Sequence, residues 1–144
     1  MTETIVVGYD GSESASRALG FAAQIAKSQG MEVTVTHVLE WSPYTFLTPE
    51  ELEERHARRT EELARAESTI LAPVMEKLSA DGVSAKAVLK YGHIAETICA
   101  VASESGVSQV VIGRTGHSAL ASRLFGSVAG TLVQASPVPV TIVP

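Results

Sequence analysis

Residues Thr4–Ser12 read TIVVGYDGS: a β-branched run, two glycines, an acid and a serine. Ile5, Val6 and Val7 follow one another without polar alternation, which marks a strand covered on both faces, and Gly8 stops it. Ser12 offers a helix N-cap. Ala15, Ala18, Leu19, Ala22, Ala23 and Ala26 then recur at intervals of three and four, one face of a helix that ends near Gly30. A buried strand leading straight into an amphipathic helix is the first half of a β-α-β unit, and its repetition would commit the chain to a parallel sheet.

The pattern does repeat. Glu32–Leu39 (EVTVTHVL) is a second strand, with Val33, Val35 and His37 alternating with Thr34, Thr36 and Val38, and it runs into a loop, EWSPYTF. Thr48 caps a long charged helix in which Glu51 and Arg55, Glu54 and Arg58, and Glu61 and Arg65 stand four apart, the spacing of a solvated face. An apolar stripe emerges only from Leu63 through Ala66, Ile70, Val74 and Leu78, and Pro73 is expected to kink or interrupt it. Asp81 and Gly82 turn the chain into a third strand, Ser84–Lys90, ending at Gly92. The next helix faces Ile94, Ile98, Val101 and Ala102 inward. Gln109–Ile112 is a fourth strand, Ser127–Ala135 a short helix and Val138–Val143 a last strand. The fold class predicted is α/β: one domain over residues 1–144, five mostly parallel strands, and helices on both faces.

Composition narrows the function. A net charge of −5 and a pI near 5.3 lack the basic face that nucleic acid or an anionic membrane requires, so neither is expected as a partner. The single cysteine, Cys99, excludes an internal disulfide framework and a cysteine metal cluster, and among Ile98, Ala100 and Val101 it reads as core packing. His37, His56, His93 and His117 have no ligand spacing, so no protein-held metal is expected. Without a basic apolar leader or a run of eighteen apolar residues, the expectation is a cytoplasmic protein.

In open parallel sheets ligands lie beyond the carboxyl ends of strands whose connections leave on opposite faces. Two unusual segments fall at such ends. One is Gly8–Ser12; the other is GRTGHSALASRLFGS, Gly113–Ser127. All sixteen acidic residues lie at or before Glu104, whereas the last forty residues carry only Arg114 and Arg123 as formal charges, so an anion site belongs there. Glycines at 113, 116 and 126 let backbone amides turn toward an anion, and Ser127 opens a helix whose dipole favours one. The same glycines serve equally as turns. Asp10 is likewise either a cap for the first helix or its turn, or a ligand contact. Trp41 and Tyr44 either shield a ligand or pack on their own domain. No Walker loop occurs, and Thr115 breaks GxGxxG.

These residues resemble the universal stress protein (UspA-like) family. Its nucleotide-binding branch carries G-x2-G-x9-G-S/T, matched by Gly113, Gly116, Gly126 and Ser127; VVGYDGSESA, VTHVLE, YGHIAETI and SPVPVTIVP are similar to the family's other conserved segments. The resemblance implies strand order 3-2-1-4-5 in a Rossmann-like, adenine nucleotide alpha hydrolase-like domain. It implies ATP, with Gly113, Arg114, Gly116, Gly126, Ser127 and Val128 around the triphosphate through backbone amides and the Ser127 hydroxyl. His117 lies in the same loop within reach of phosphate. Gly8, Tyr9 and Asp10 would line the adenosine side, and Val38 would offer backbone hydrogen bonds to adenine. Mg or Mn would enter with the phosphates. Ser108 stands just before the fourth strand where the family often has Asp, away from the site.

Fast ATP hydrolysis needs a water-orienting group at the γ-phosphate, and the glycine segment has none. No residue is therefore assigned as catalytic; the expectation is a binding module that signals or protects under stress through ligand occupancy, at most a slow ATPase. The alternative is a dimeric interaction module of the same family without nucleotide. A receiver domain is excluded, because an Asp after strand three is missing and the chain ends with strand five. Val138–Val143 would be an exposed apolar edge in a monomer, and the resemblance implies a homodimer through it.

Overall fold

Five strands pair in parallel in the order β3-β2-β1-β4-β5, the Rossmann-like arrangement expected. The computed structural model describes residues 2–40, 48–115 and 127–144. In chain order these are β1 (Thr4–Gly8), α1 (Glu13–Gln29), β2 (Glu32–Glu40), α2 (Pro49–Ala66), a π-helical turn (Glu67–Leu71), α3 (Ala72–Ala80), β3 (Ala85–Gly92), α4 (Ile94–Ala102), β4 (Val107–Gly113), α5 (Ser127–Ala135) and β5 (Val140–Val143).

The period of two divides the strands between two cores. Ile5, Val7, Val33, Val35 and Val111 point to the layer of α1 and α3, where Ala15, Ala18, Leu19, Ala22, Leu71 and Leu78 meet them. Val6, Val110 and Ile112 point to the layer of α4 and α5, against Ile98, Val101, Ala102, Ala129 and Leu132. Ile5, Val6 and Val7 are wholly buried, and each contributes about 1.5–3 kcal/mol by leaving water.

Local chemistry sets the element ends. The Ser12 hydroxyl accepts from the Ala15 amide at 3.1 Å, starting α1 at Glu13, and Gly30 ends it in the left-handed region at φ 68°. Thr48 and Glu51 form a reciprocal capping box at the start of α2. The predicted last strand is two residues too long: Pro137 and Pro139 have no N–H to give, and the ladder takes only the Pro139 carbonyl, from Val110 at 2.9 Å. β4 begins earlier than predicted, because Val107 pairs with Thr4. Ser108 thus lies inside the strand, its hydroxyl 3.3 Å from the Thr4 carbonyl.

Pro73 interrupts the helix by changing its pitch. The Ala72 amide reaches back five residues to the Glu67 carbonyl, so the chain takes a wide turn just before the residue that cannot donate. The Arg65 carbonyl receives the hydroxyls of Ser68 (3.2 Å) and Thr69 (2.6 Å). The extra residue in that turn shifts the phase of the apolar stripe, bringing Leu71 fully into the core beside Ile70.

α1 lies unusually close to the end of β4. A Cβ on Gly113 would fall 2.7 Å from both the carbonyl carbon and oxygen of Ser14 and closer still to its hydroxyl. Only glycine permits that approach. Farther out, α2 crosses the end of β3: the Tyr91 hydroxyl donates to Glu62 at 2.6 Å and Arg59 stacks over the ring at 4.5 Å. Among the described residues no helix is long and apolar enough to cross a membrane.

Two outcomes follow from this packing. Gly113→Ala is expected to cost about 1–3 kcal/mol through overpacking against the Ser14 backbone, read as a lower urea midpoint at unchanged m-value. The Glu62 hydrogen bond and burial hold the Tyr91 phenol above its ordinary 10.0. The neutral phenol is the donor, so the contribution of the pair is present below that pH and lost as pH rises through the raised value. Ultraviolet titration should find this phenol ionising late, and Glu62→Gln should bring it back toward 10.0.

Candidate functional site

The carboxyl ends of β1 and β4 are neighbours, so the two segments singled out in the sequence start side by side. At the end of β1, Gly8 is squeezed between layers: a Cβ there would lie 3.0 Å from Ile98 Cδ1 and 3.1 Å from Ile112 Cγ2. Tyr9 has both backbone groups engaged by β2. Its amide donates to the Thr36 carbonyl at 2.8 Å, and its carbonyl lies 2.7 Å from His37 Nδ1. Its side chain is buried in the α1 core.

Asp10 builds the turn into α1. Its Oδ1 accepts from the Ser12 amide at 2.9 Å and from the Ser12 hydroxyl at 2.5 Å, while Gly11 supplies the left-handed residue at φ 82°. Asp10 thus holds the turn, while the N-cap of α1 itself is Ser12. This arrangement places a carboxylate oxygen under two donors and gives α1 a fixed starting point.

At the end of β4, Ser14 joins the strand to that same helix turn. Its hydroxyl accepts from the Thr115 amide at 3.2 Å, directly after the Gly113 contact. The Arg114 amide donates to the Val143 carbonyl at 2.9 Å, so what Arg114 has left to offer a ligand is its exposed guanidinium. Ser127 and Val128 open α5, and the first amides of a helix have no partner within the helix itself. Gly116, His117, Arg123 and Gly126, and also Trp41 and Tyr44, lie outside the described residues.

Val38 lies on β2 beyond the last β1 pair, Gly8 with Thr36, and opposite Lys90 of β3. The amide of Glu32 donates to Glu3, and the carbonyl of Thr36 accepts from Tyr9. Even-numbered residues of β2 therefore turn their backbone groups toward β1, and Val38 turns its own toward the space where β1 has ended. The sequence reading missed two residues here. Ser14 sits one position before the apolar stripe of α1, which by itself assigns it no role. His37 looked like an alternating core position, and its polar atoms were the only available signal.

Comparison with known proteins agrees with this architecture. The profile described as the universal stress protein family matches residues 1–144. Universal stress protein YxiE of Bacillus subtilis is 33% identical over 152 residues, covering 99% of each chain. Universal stress protein UspA from Lactobacillus plantarum superposes with a TM-score of 0.85 at 22% identity, over 99% of this chain and 97% of that one, a likeness of fold. The universal stress protein from Archaeoglobus fulgidus solved in complex with dAMP is 26% identical, with a TM-score of 0.62 over 99% of this chain and 98% of that one. With the family profile spanning the whole length and the strand order matching, this chain belongs to the universal stress protein family.

Proposed function

We propose that the chain is an ATP-binding module acting through ligand occupancy. The observation that carries this reading is the arrangement at the sheet's C-terminal end: an open backbone edge at Val38, the β1 turn at Gly8–Asp10, and the glycine segment leaving β4 at Gly113. The residues fit a nucleotide. Val38 has a donor and an acceptor for adenine, Arg114 an exposed positive charge, and Ser127 and Val128 the first amides of α5 for phosphate. The dAMP-bound relative supports an adenine ligand. Gly116, His117 and Gly126 complete the triphosphate contacts in this reading. Mg or Mn enters with the phosphates; among the described residues no group of three His, Cys, Asp or Glu could hold a metal.

Occupancy rather than turnover is the proposed output. Asp10, the acid at the β1 turn, has Oδ1 engaged by both donors of Ser12, which ties that oxygen to the turn into α1. The assembly proposed is a homodimer through β5 in the cytoplasm. Arg114 and Val110 donate to Val143 and Pro139, so odd-numbered residues of β5 face β4 and the amides of Val140 and Ile142 face outward, unpaired among the described residues.

Nucleotide released from the purified protein is expected to be adenine nucleotide, with ATP raising the melting temperature. Arg114→Ala should weaken ATP about tenfold while leaving adenosine nearly unchanged, by calorimetry. Recovery of no adenine nucleotide together with no thermal shift overturns the reading. For the dimer, Val140→Pro deletes one outward donor without touching the β4 ladder. It should move sedimentation from dimer toward monomer, and a wild-type monomer at micromolar concentration overturns that assembly.

A further inference from the structure

We propose that His37 is a positioning residue that keeps the Val38 amide available to the base of a nucleotide by occupying the carbonyl that would otherwise claim it; this rests on the adenine-nucleotide reading above. In the β1–β2 ladder the Tyr9 amide donates to the Thr36 carbonyl at 2.8 Å, and the next rung of a parallel pair joins the Val38 amide to the Tyr9 carbonyl. That carbonyl instead takes His37 Nδ1 at 2.7 Å, and among the described residues no Tyr9–Val38 backbone bond forms. A side chain has replaced the backbone donor, and the ladder stops one rung early.

The tautomer follows from the acceptor. A carbonyl can only accept, so Nδ1 carries the proton and Nε2 a lone pair. His37 is 6% exposed, and its Nε2 is buried with no partner among the described residues. Val33 and Val35 precede it toward the same core, where a further aliphatic side chain would bury as well and leave no orphaned acceptor. The hydrogen bond to Tyr9 is what the imidazole adds.

Its consequence lies at Val38. β1 departs into the Asp10–Ser12 turn while β2 continues to Glu40 against β3, leaving the β1-facing edge of Val38 without a strand. An N–H and a C=O side by side on one residue complement the acceptor–donor edge of adenine. They are mismatched to hypoxanthine, whose corresponding edge reverses the two roles.

Amide hydrogen exchange and calorimetry on the full chain, with ATP, inosine triphosphate and inorganic tripolyphosphate as probes, test this. The Val38 amide should exchange freely in the nucleotide-free protein and slow on adding ATP. In His37→Leu it should be protected without nucleotide, ATP should bind about tenfold more weakly with its preference over inosine triphosphate reduced, and tripolyphosphate should bind as before. His37→Asn, whose amide reaches the same carbonyl, should restore wild-type behaviour, whereas the longer His37→Gln should not. Equal Val38 exchange in wild type and His37→Leu overturns the proposal, as does unchanged ATP affinity. If the leucine variant does not fold, equal exchange in the asparagine and glutamine variants overturns it. A Val38 contrast in a protein that binds no adenine nucleotide overturns the nucleotide reading and leaves the His37 clamp standing.

Discussion

The close approach of Gly113 to Ser14 is the constraint on which the sheet's functional end depends. It brings the first turn of α1, itself fixed by Asp10 and Ser12, against the last residue of β4. The Ser14 hydroxyl then takes the Thr115 amide, so the chain leaving β4 departs from a point set by the helix that follows β1. Two connections on opposite sides of the central strands thereby share one anchor. A side chain at Gly113 would push helix and strand apart before it touched any ligand. Glycine here has a packing reason of its own, independent of a phosphate contact.

The polar groups at this end are distributed by the same logic. Backbone amides that a parallel sheet would leave unpaired at its C-terminal edge are matched individually: Arg114 with Val143, Thr115 with Ser14, Ser12 with Asp10. What remains at Val38, where no backbone partner is found among the described residues, is consequently informative. It stands beside a hydrogen-bonded framework, and a ligand meeting it would lose little to ordering the protein.

Much of this was legible in the sequence. The buried run Ile5–Val7, the alanine stripe of α1 and the glycine stops gave strand, helix and class, because period and burial are local signals. Strand order was implied by resemblance and is observed. The π-turn before Pro73 was not readable, since a missing donor predicts a disturbance but not how neighbouring hydroxyls absorb it. Nor was the role of Ser14, which arises from a contact about a hundred residues away in sequence. Asp10 shows the intermediate case: its turn chemistry is local and could be anticipated, whereas its ligand role depends on partners that sequence does not supply.

The two edges of the sheet are protected unequally, and that asymmetry bears on assembly. β3 carries exposed Lys86 and Lys90, and α2 closes over its end through Tyr91, Glu62 and Arg59, so charge and cover both oppose strand addition there. β5 has Val140, Thr141, Ile142 and Val143, all half-buried and uncharged, with outward amides at two of the four. Pro137 and Pro139 limit the edge at its N-terminal side without blocking the strand itself. An edge with no strand beside it among the described residues, on a sheet whose other edge is guarded, favours one mode of association over open-ended growth. In the proposed dimer, pairing through β5 would close after two copies, because β3, the other edge among the described residues, is the guarded one.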